Sequence, residues 1–384
     1  MNKISKIKKI YILSFIFSFH IAISAYANSV FLSSYIKEDY VGMLYTVSSI
    51  ITLLFLSSFS RILKSFGNKK VVMILLCLNM ISLVGMITSI NPVTIASSFI
   101  FFLSTNTLVL FCIDIFIEHF GDPNKTGKTR GLYLTLINTA WMLSPLLTSF
   151  LISKEGGYKT IYILAFIMVS IMTFGLLFSV KTFKDEKYKR VSFLKTFKFL
   201  RKNKNIFSIV FINFLLQFFY SWMVVYTPIY LIDHLGFSWD KIGIIFTIML
   251  APFVILGLPL GVFVDKYNLN KKKILSIGFI IIIISTSLIS FITTKQVIIW
   301  AIILFITRIG ASIIETIGEI YFFKNIKEED TYLLGIYRDM NPVSYITAPI
   351  LATIFFLILP FNLLFLILGI IMVSGLFIIP KLKN

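Results

Sequence analysis

Twelve apolar runs of about twenty residues, near 10–32, 41–59, 71–90, 93–117, 131–153, 160–180, 206–232, 242–264, 274–292, 297–320, 339–358 and 361–379, take up nearly the whole chain. A helix of that length crosses the roughly 30 Å hydrocarbon core of a bilayer, whereas apolar runs of ten to fourteen residues belong to buried core helices. Almost nothing is left for a soluble domain. Composition agrees, with 58% hydrophobic residues, 14% charged and a mean hydropathy of +0.92, against roughly half apolar and a quarter charged in a soluble domain. The expected fold class is an all-α integral membrane protein with twelve transmembrane helices.

The cations set its orientation, because basic loops resist translocation and acidic ones matter little. The N-terminus, the links after every even-numbered span and the C-terminal tail together hold 30 of the 36 Lys and Arg residues. Both termini are therefore expected in the cytoplasm, in a bacterial inner (cytoplasmic) membrane. The net charge of +19 is then a property of the inner loops and implies no nucleic acid as partner. Cys77 and Cys112 lie inside spans, where ordinary buried thiols are expected rather than a disulfide or a metal pair.

The chain is written twice. At an offset of 201 residues Gly42, Thr46, Asp114 and Glu118 fall on Gly243, Thr247, Glu315 and Glu319. Three extra residues then move the offset to 204, where Gly131 and Pro145 fall on Gly335 and Pro349, fourteen residues apart in both halves. Two six-helix bundles in parallel repeat are expected, over 1–180 and 206–384, joined by a basic cytoplasmic linker at 181–205. The linker has ten cations with an apolar residue every three or four positions, which reads either as a tether or as an amphipathic helix on anionic headgroups. The first span also imitates a cleavable signal peptide ending at Ala25-Tyr26-Ala27. The repeat needs that span as partner of the seventh, which favours its being a transmembrane helix.

Residues 258–275, LPLGVFVDKYNLNKKKIL, stand between spans 8 and 9. They resemble the Gly-x-x-x-Asp-Arg/Lys-x-Gly-x-Arg/Lys-Arg/Lys signature of the major facilitator superfamily, in Gly261, Asp265, Lys266 and the run Lys271, Lys272, Lys273, with Asn268 or Asn270 for the second glycine. The first-half copy, SRILKSFGNKKVV, keeps Gly67, Lys69 and Lys70 but has Ser60 and Lys64 for the first glycine and the aspartate. The resemblance covers essentially the whole chain. It implies a secondary transporter that rocks two six-helix halves, with Asp265 and Lys266 in an inner gate where Asp265 caps the start of the fifth span near Arg130. Lys64 would repel a helix N-terminus. An ion-pair network of Asp114, Glu118, Arg61 and Arg130 is therefore expected on the other side of the gate.

The tenth span carries three charges, in ITRIGASIIETIGEI (306–320). On a helix Arg308, Ser312, Glu315 and Glu319 share one face, beside Ala311 and Gly318. The opposite face, Ile306, Ile309, Ile313, Ile317 and Ile320, is expected to meet lipid. At 1.5 Å per residue from Val297, Arg308 lies about 16 Å deep, near the midplane. A charge there costs at least about 2.5 kcal/mol and must face protein or water. Arg308 is read as a cavity residue meeting solute or coupling ion; the bland alternative, a pair with Glu315, must bridge about 10 Å of helix rise. Glu315 and Glu319 repel unless one is protonated or both meet Lys266, Lys271 or Arg338, so they read as gate residues or as proton carriers.

Other polar stacks are candidates for the same cavity: Asn213, Gln217 and Tyr220 in span 7, His20 and Ser24 in span 1, Asn138 and Trp141 in span 5. Each is as readily an interhelical hydrogen-bond partner. His20 alone among them can change charge between pH 5 and 8. Pro145, Pro228, Pro252, Pro259 and Pro349 should kink their spans.

No nucleotide-binding loop and no His-Glu-x-x-His motif is present, and His20, His119 and His234 are scattered. The reading is thus a small-solute transporter, coupled to protons through His20, Asp114, Glu315 or Glu319, without cofactor or metal, and monomeric. The alternatives are a membrane enzyme acting on a lipid or isoprenoid and a transporter-like sensor.

Overall fold

A computed structural model describes residues 3–121, 126–154, 157–179, 203–267, 270–325 and 331–383. Every regular element among them is helical. With no water available inside a bilayer, helices are the only open-chain structure that satisfies each backbone N–H and C=O within one segment.

The first unit contains α1 (Lys3–Ala25), α2 (Asn28–Ser33), α3 (Glu38–Phe66), α4 (Asn68–Thr88), α5 (Pro92–Phe120), α6 (Thr126–Lys154) and α7 (Tyr158–Ser179). The second contains α8 (Lys204–Ile229), α9 (Trp239–Lys266), α10 (Lys271–Ile289), α11 (Val297–Asn325), α12 (Thr331–Phe356) and α13 (Leu363–Ile378). The chain divides by its packing into Met1–Arg190 and Val191–Asn384. Eleven of these helices are long and apolar enough to cross a membrane; α12, interrupted by Arg338, Asp339, Asn341 and two prolines, is long enough but less apolar. The expected linker helix at 181–205 lies outside the described residues except for 203–205.

Packing repeats the sequence repeat. In the first unit α1 lies against α5, α6 and α7, α4 against α5 and α7, and α3 against α5; in the second, α8 lies against α11, α12 and α13, α10 against α11 and α13, and α9 against α11. Each pairing has its counterpart under the offset read from the sequence.

Three local features differ from the sequence reading. The first span does not run unbroken to residue 32: it stops at Ala25, turns through the buried Tyr26 and Ala27, and resumes as the buried α2. Cys77 is exposed on α4 while Cys112 is buried. Asn270, one of the two candidates for the second glycine of the signature, has an ordinary negative φ of −68°. It replaces the glycine turn by another device: its side chain accepts from Lys272 N at 3.0 Å and Lys273 N at 3.3 Å and so caps α10. The first unit makes the corresponding turn on Gly67, whose φ of +78° favours glycine.

Of the expected prolines, Pro145, Pro228, Pro252, Pro259 and Pro349 all lie inside helices. Pro228 cannot supply the N–H of an i→i−4 bond, and α8 widens directly afterwards into a π turn at Tyr230–His234.

Candidate functional site

Arg308 sits in the middle of α11 and is 1% exposed. Its guanidinium carbon lies 5.0 Å from the Phe219 ring centroid and 5.8 Å from that of Tyr220, both on α8. Aromatic faces of this kind attract a desolvated cation. Rings do not replace hydrogen-bond acceptors, however, and the Arg308 Nη1 has no hydrogen-bond partner. Arginine cannot shed its proton inside a protein. The site therefore holds a permanent, buried positive charge with a free donor.

The rest of the polar face of α11 is tied to its neighbours. Ser312, 1% exposed, donates to the Pro252 carbonyl on α9 at 3.4 Å. Glu315, one turn below, accepts from the Tyr220 hydroxyl at 3.2 Å. Arg308 and Glu319 are the charged side chains that act on it. Tyr337 on α12 approaches the same turn, since a Cβ on Gly318 would lie 3.6 Å from its hydroxyl. The alternative reading, a pair between Arg308 and Glu315, takes the form of a bridge, with the Tyr220 hydroxyl on Glu315 and the Tyr220 ring beside Arg308.

The stack on α8 forms a polar seam. Asn213 donates to the Tyr337 carbonyl at 2.6 Å, and Gln217 accepts from Asn341 Nδ2 at 2.8 Å. Together with Tyr220 these side chains face α12 and α11 in turn. The opposite face of α11 corrects the sequence reading. Ile317 is fully buried rather than lipid-facing, and a Cβ on Gly278 of α10 would come within 3.0 Å of Ile313 Cγ2. The C-terminal half of that face turns toward α10, which leaves exposed Ile298, Ile302 and Ile306, nearer the start of the helix.

In the first unit His20 is fully buried, with Nδ1 donating to the Ala165 carbonyl of α7 at 3.0 Å and Nε2 lying 3.3 Å from Asn106 Oδ1 on α5. Asn79 of α4 donates to Asn106 Oδ1 at 2.8 Å and to Thr105 Oγ1 at 2.9 Å. His20 thereby ties α1 to three other helices. Ser24 is also fully buried and donates to the Ile21 carbonyl of its own helix at 3.2 Å. On α6, Asn138 and Trp141 are partly exposed, and Trp141 meets Tyr26 edge-on at 6.3 Å.

Of the gate residues, Arg61, Lys64 and Arg338 are exposed, and Asp114 and Glu319 are partly buried. The side chains of Glu118, Arg130, Asp265 and Lys266 lie outside the described residues.

Phe219, Tyr337, Asn341, Asn79 and Asn106 were not singled out by the sequence. Asn79, Asn106 and Asn341 did carry a signal, an amide inside an apolar run. A search for polar stacks on one helix passes over a network that takes one residue from each helix. Phe219 carries no signal at all among 40 phenylalanines.

Residues 10–241 and 231–383 match a family model described as Major Facilitator Superfamily. A solved structure of the nucleoside transporter NupG is similar with a TM-score of 0.76 at 16% identity, covering 100% of both chains. One of the human organic anion transporter MFSD10 (TETRAN) is similar with a TM-score of 0.70 at 10% identity, covering 99% of this chain and 100% of that one. No curated protein sequence matches.

Proposed function

The chain belongs to the major facilitator superfamily, a family of membrane transporters and not of enzymes, and from that premise we propose that it is a secondary transporter whose solute binds at Arg308. The observation that carries the reading is the buried Nη1 donor of Arg308, left without an acceptor beside two aromatic faces. A transporter can keep such an orphan because its solute supplies the missing oxygen; a static protein would lose stability for nothing. Tyr220, Gln217, Asn213 and Ser312 line the same seam and give the solute its remaining polar contacts. Asn138 and Trp141, partly exposed on α6, are the first unit's candidates. His20 and Ser24, closed off by protein, hold helices together.

Access alternates by rocking of the two six-helix halves, with Asp265, Lys266, Asp114, Glu118, Arg130 and Glu319 in the cytoplasmic gate. The charge distribution supports an inner-membrane location with both termini in the cytoplasm. The test is thermal unfolding of detergent-purified protein against a broad library of metabolites, beside Arg308→Ala and Arg308→Lys. A solute at about 100 times its dissociation constant adds about 2.7 kcal/mol. A solute class that stabilises the wild type and neither variant supports the reading; equal stabilisation of all three removes Arg308 from the site.

A further inference from the structure

We infer that the solute is an organic monocarboxylate with a flat apolar body, and that each one bound brings a single proton to Glu315. The inference rests on the proposed role of Arg308 and adds to it the chemistry of the solute and the place of the coupling proton.

The ligand class follows from what the site offers. A guanidinium presents paired N–H donors that match the two oxygens of a carboxylate, and Nη1 is unused. An uncharged hydroxyl would fill that donor with one neutral bond, whereas a carboxylate meets both the geometry and the charge of the guanidinium. Phe219 and Tyr220 place ring faces beside the guanidinium, which suits an aromatic or aliphatic body lying against the carboxylate end.

Charge balance then locates the proton. The groups facing Glu315 are Arg308 and Glu319 on its own helix, Tyr220 from α8 and Tyr337 from α12, so Arg308 is the one cation among the described residues that acts on it. While Arg308 lacks a ligand, Glu315 in its ionised form balances the charge of the guanidinium. A bound carboxylate neutralises Arg308 and removes that balance, leaving Glu315 beside Glu319 in a water-poor setting where two negative charges repel. Taking one proton restores neutrality: anion plus proton enter together, and net charge does not move. Tyr220 is placed to transmit the change, with its ring beside Arg308 and its hydroxyl on Glu315.

The experiment is isothermal titration of the detergent-purified protein with phenylacetate, 3-phenylpropionate, indole-3-acetate and octanoate, each beside its primary amide. Titrations in buffers of differing ionisation heat count the protons taken up. At least one acid should bind the wild type ten-fold or more tighter than its amide, with about one proton per ligand. Arg308→Ala and Arg308→Lys should each weaken it at least ten-fold, and Glu315→Gln, a mimic of the protonated side chain, should bind it at least as tightly as the wild type with no proton uptake. If no acid outbinds its amide, the monocarboxylate inference is overturned; uncharged solutes that still need Arg308 would leave the proposed site standing. Binding that ignores both Arg308 variants sinks the site itself. Proton uptake that survives in Glu315→Gln overturns the assignment to Glu315. Thermal unfolding of each variant, checked first, restricts the comparison to folded protein, and either Arg308 variant alone suffices.

Discussion

The hydroxyl of Tyr220 on α8 donates to Oε2 of Glu315 on α11 at 3.2 Å, and the ring of the same tyrosine lies 5.8 Å from the Arg308 guanidinium. One side chain thus meets two charges of the helix, Arg308 and Glu315, and its two functions can be separated. Tyr220→Phe keeps the ring and removes the donor. A hydrogen bond to an ionised carboxylate contributes about 1.5–3 kcal/mol, and only while the carboxylate is ionised. The variant should therefore lose stability most at alkaline pH, the difference from wild type fading as the pH falls and Glu315 takes a proton. Thermal melts of both proteins from pH 5 to pH 8.5 check this; a loss independent of pH would mean that the hydroxyl does not serve the charged form.

Gly310 of α11 and Gly278 of α10 let two helix backbones meet directly. A Cβ on Gly310 would lie 2.7 Å from the Gly278 carbonyl oxygen and 2.8 Å from Ile282 Cγ1, so the backbone itself would have to move. Gly310→Ala should cost about 1–3 kcal/mol, the usual range for overpacking. Gly257→Ala serves as its control, since nothing lies within 4 Å of a Cβ there; that change should be neutral or stabilising by up to about 1 kcal/mol. Melting temperatures of the two variants, measured side by side in one detergent, decide the matter. Because Gly310 stands two residues from Arg308, a shifted α11 should also weaken solute binding in Gly310→Ala and not in Gly257→Ala.

Those two glycines show what a sequence can and cannot display. Span lengths, the repeat and the polar face of α11 follow from periodicity, and periodicity survives in a single chain because bilayer thickness and helix pitch are fixed. Which helix covers which face does not survive. Ile313 reads as lipid-facing beside Ile306 until α10 is laid against the middle of α11. The polar partners of Asn213 and Gln217, the Tyr337 carbonyl and Asn341, belong to a helix more than a hundred residues away, and no spacing rule relates them. Arg308 stood out because a buried cation is rare at any spacing. Phe219 beside it stayed invisible because a phenylalanine is common in every span.

His20 occupies a polar node where four helices meet, and its substitution should behave as the loss of a strut. Removing the imidazole with His20→Leu takes one hydrogen-bond partner from the Ala165 carbonyl and one from the Asn106 amide in a buried setting. About 1–3 kcal/mol of stability should be lost. In the double variant His20→Leu/Asn106→Leu the total should fall short of the sum of the single losses, because the second change removes one of the groups that the first had orphaned. Solute affinity, measured by titration in the folded variants, should stay within two-fold of wild type. A larger change would bring His20 into the solute path.

The last residues of the chain are held by the two helices that frame Arg308. Asn205, at the start of α8, accepts at its Oδ1 from the Lys383 backbone N–H at 2.8 Å and from the Tyr321 hydroxyl of α11 at 2.6 Å, and its Nδ2 donates to Asn325 at 3.2 Å. Side chains joined through one oxygen are energetically coupled, so Asn205→Ala and Tyr321→Phe should each destabilise by about 1–2 kcal/mol, and the pair by less than the sum, with a coupling of about 0.5–3 kcal/mol. The node lies at the far end of α11, roughly 20 Å of helix rise from Arg308. It should therefore set how firmly α8 and α11 stay together without touching the solute. Denaturant melts with and without a bound solute separate the two effects. The unliganded variants should melt earlier, while the increment added by a saturating solute should match that of the wild type. Loss of that increment would show that the node holds Phe219 and Tyr220 against Arg308, and hence that the site depends on the last turn of the protein.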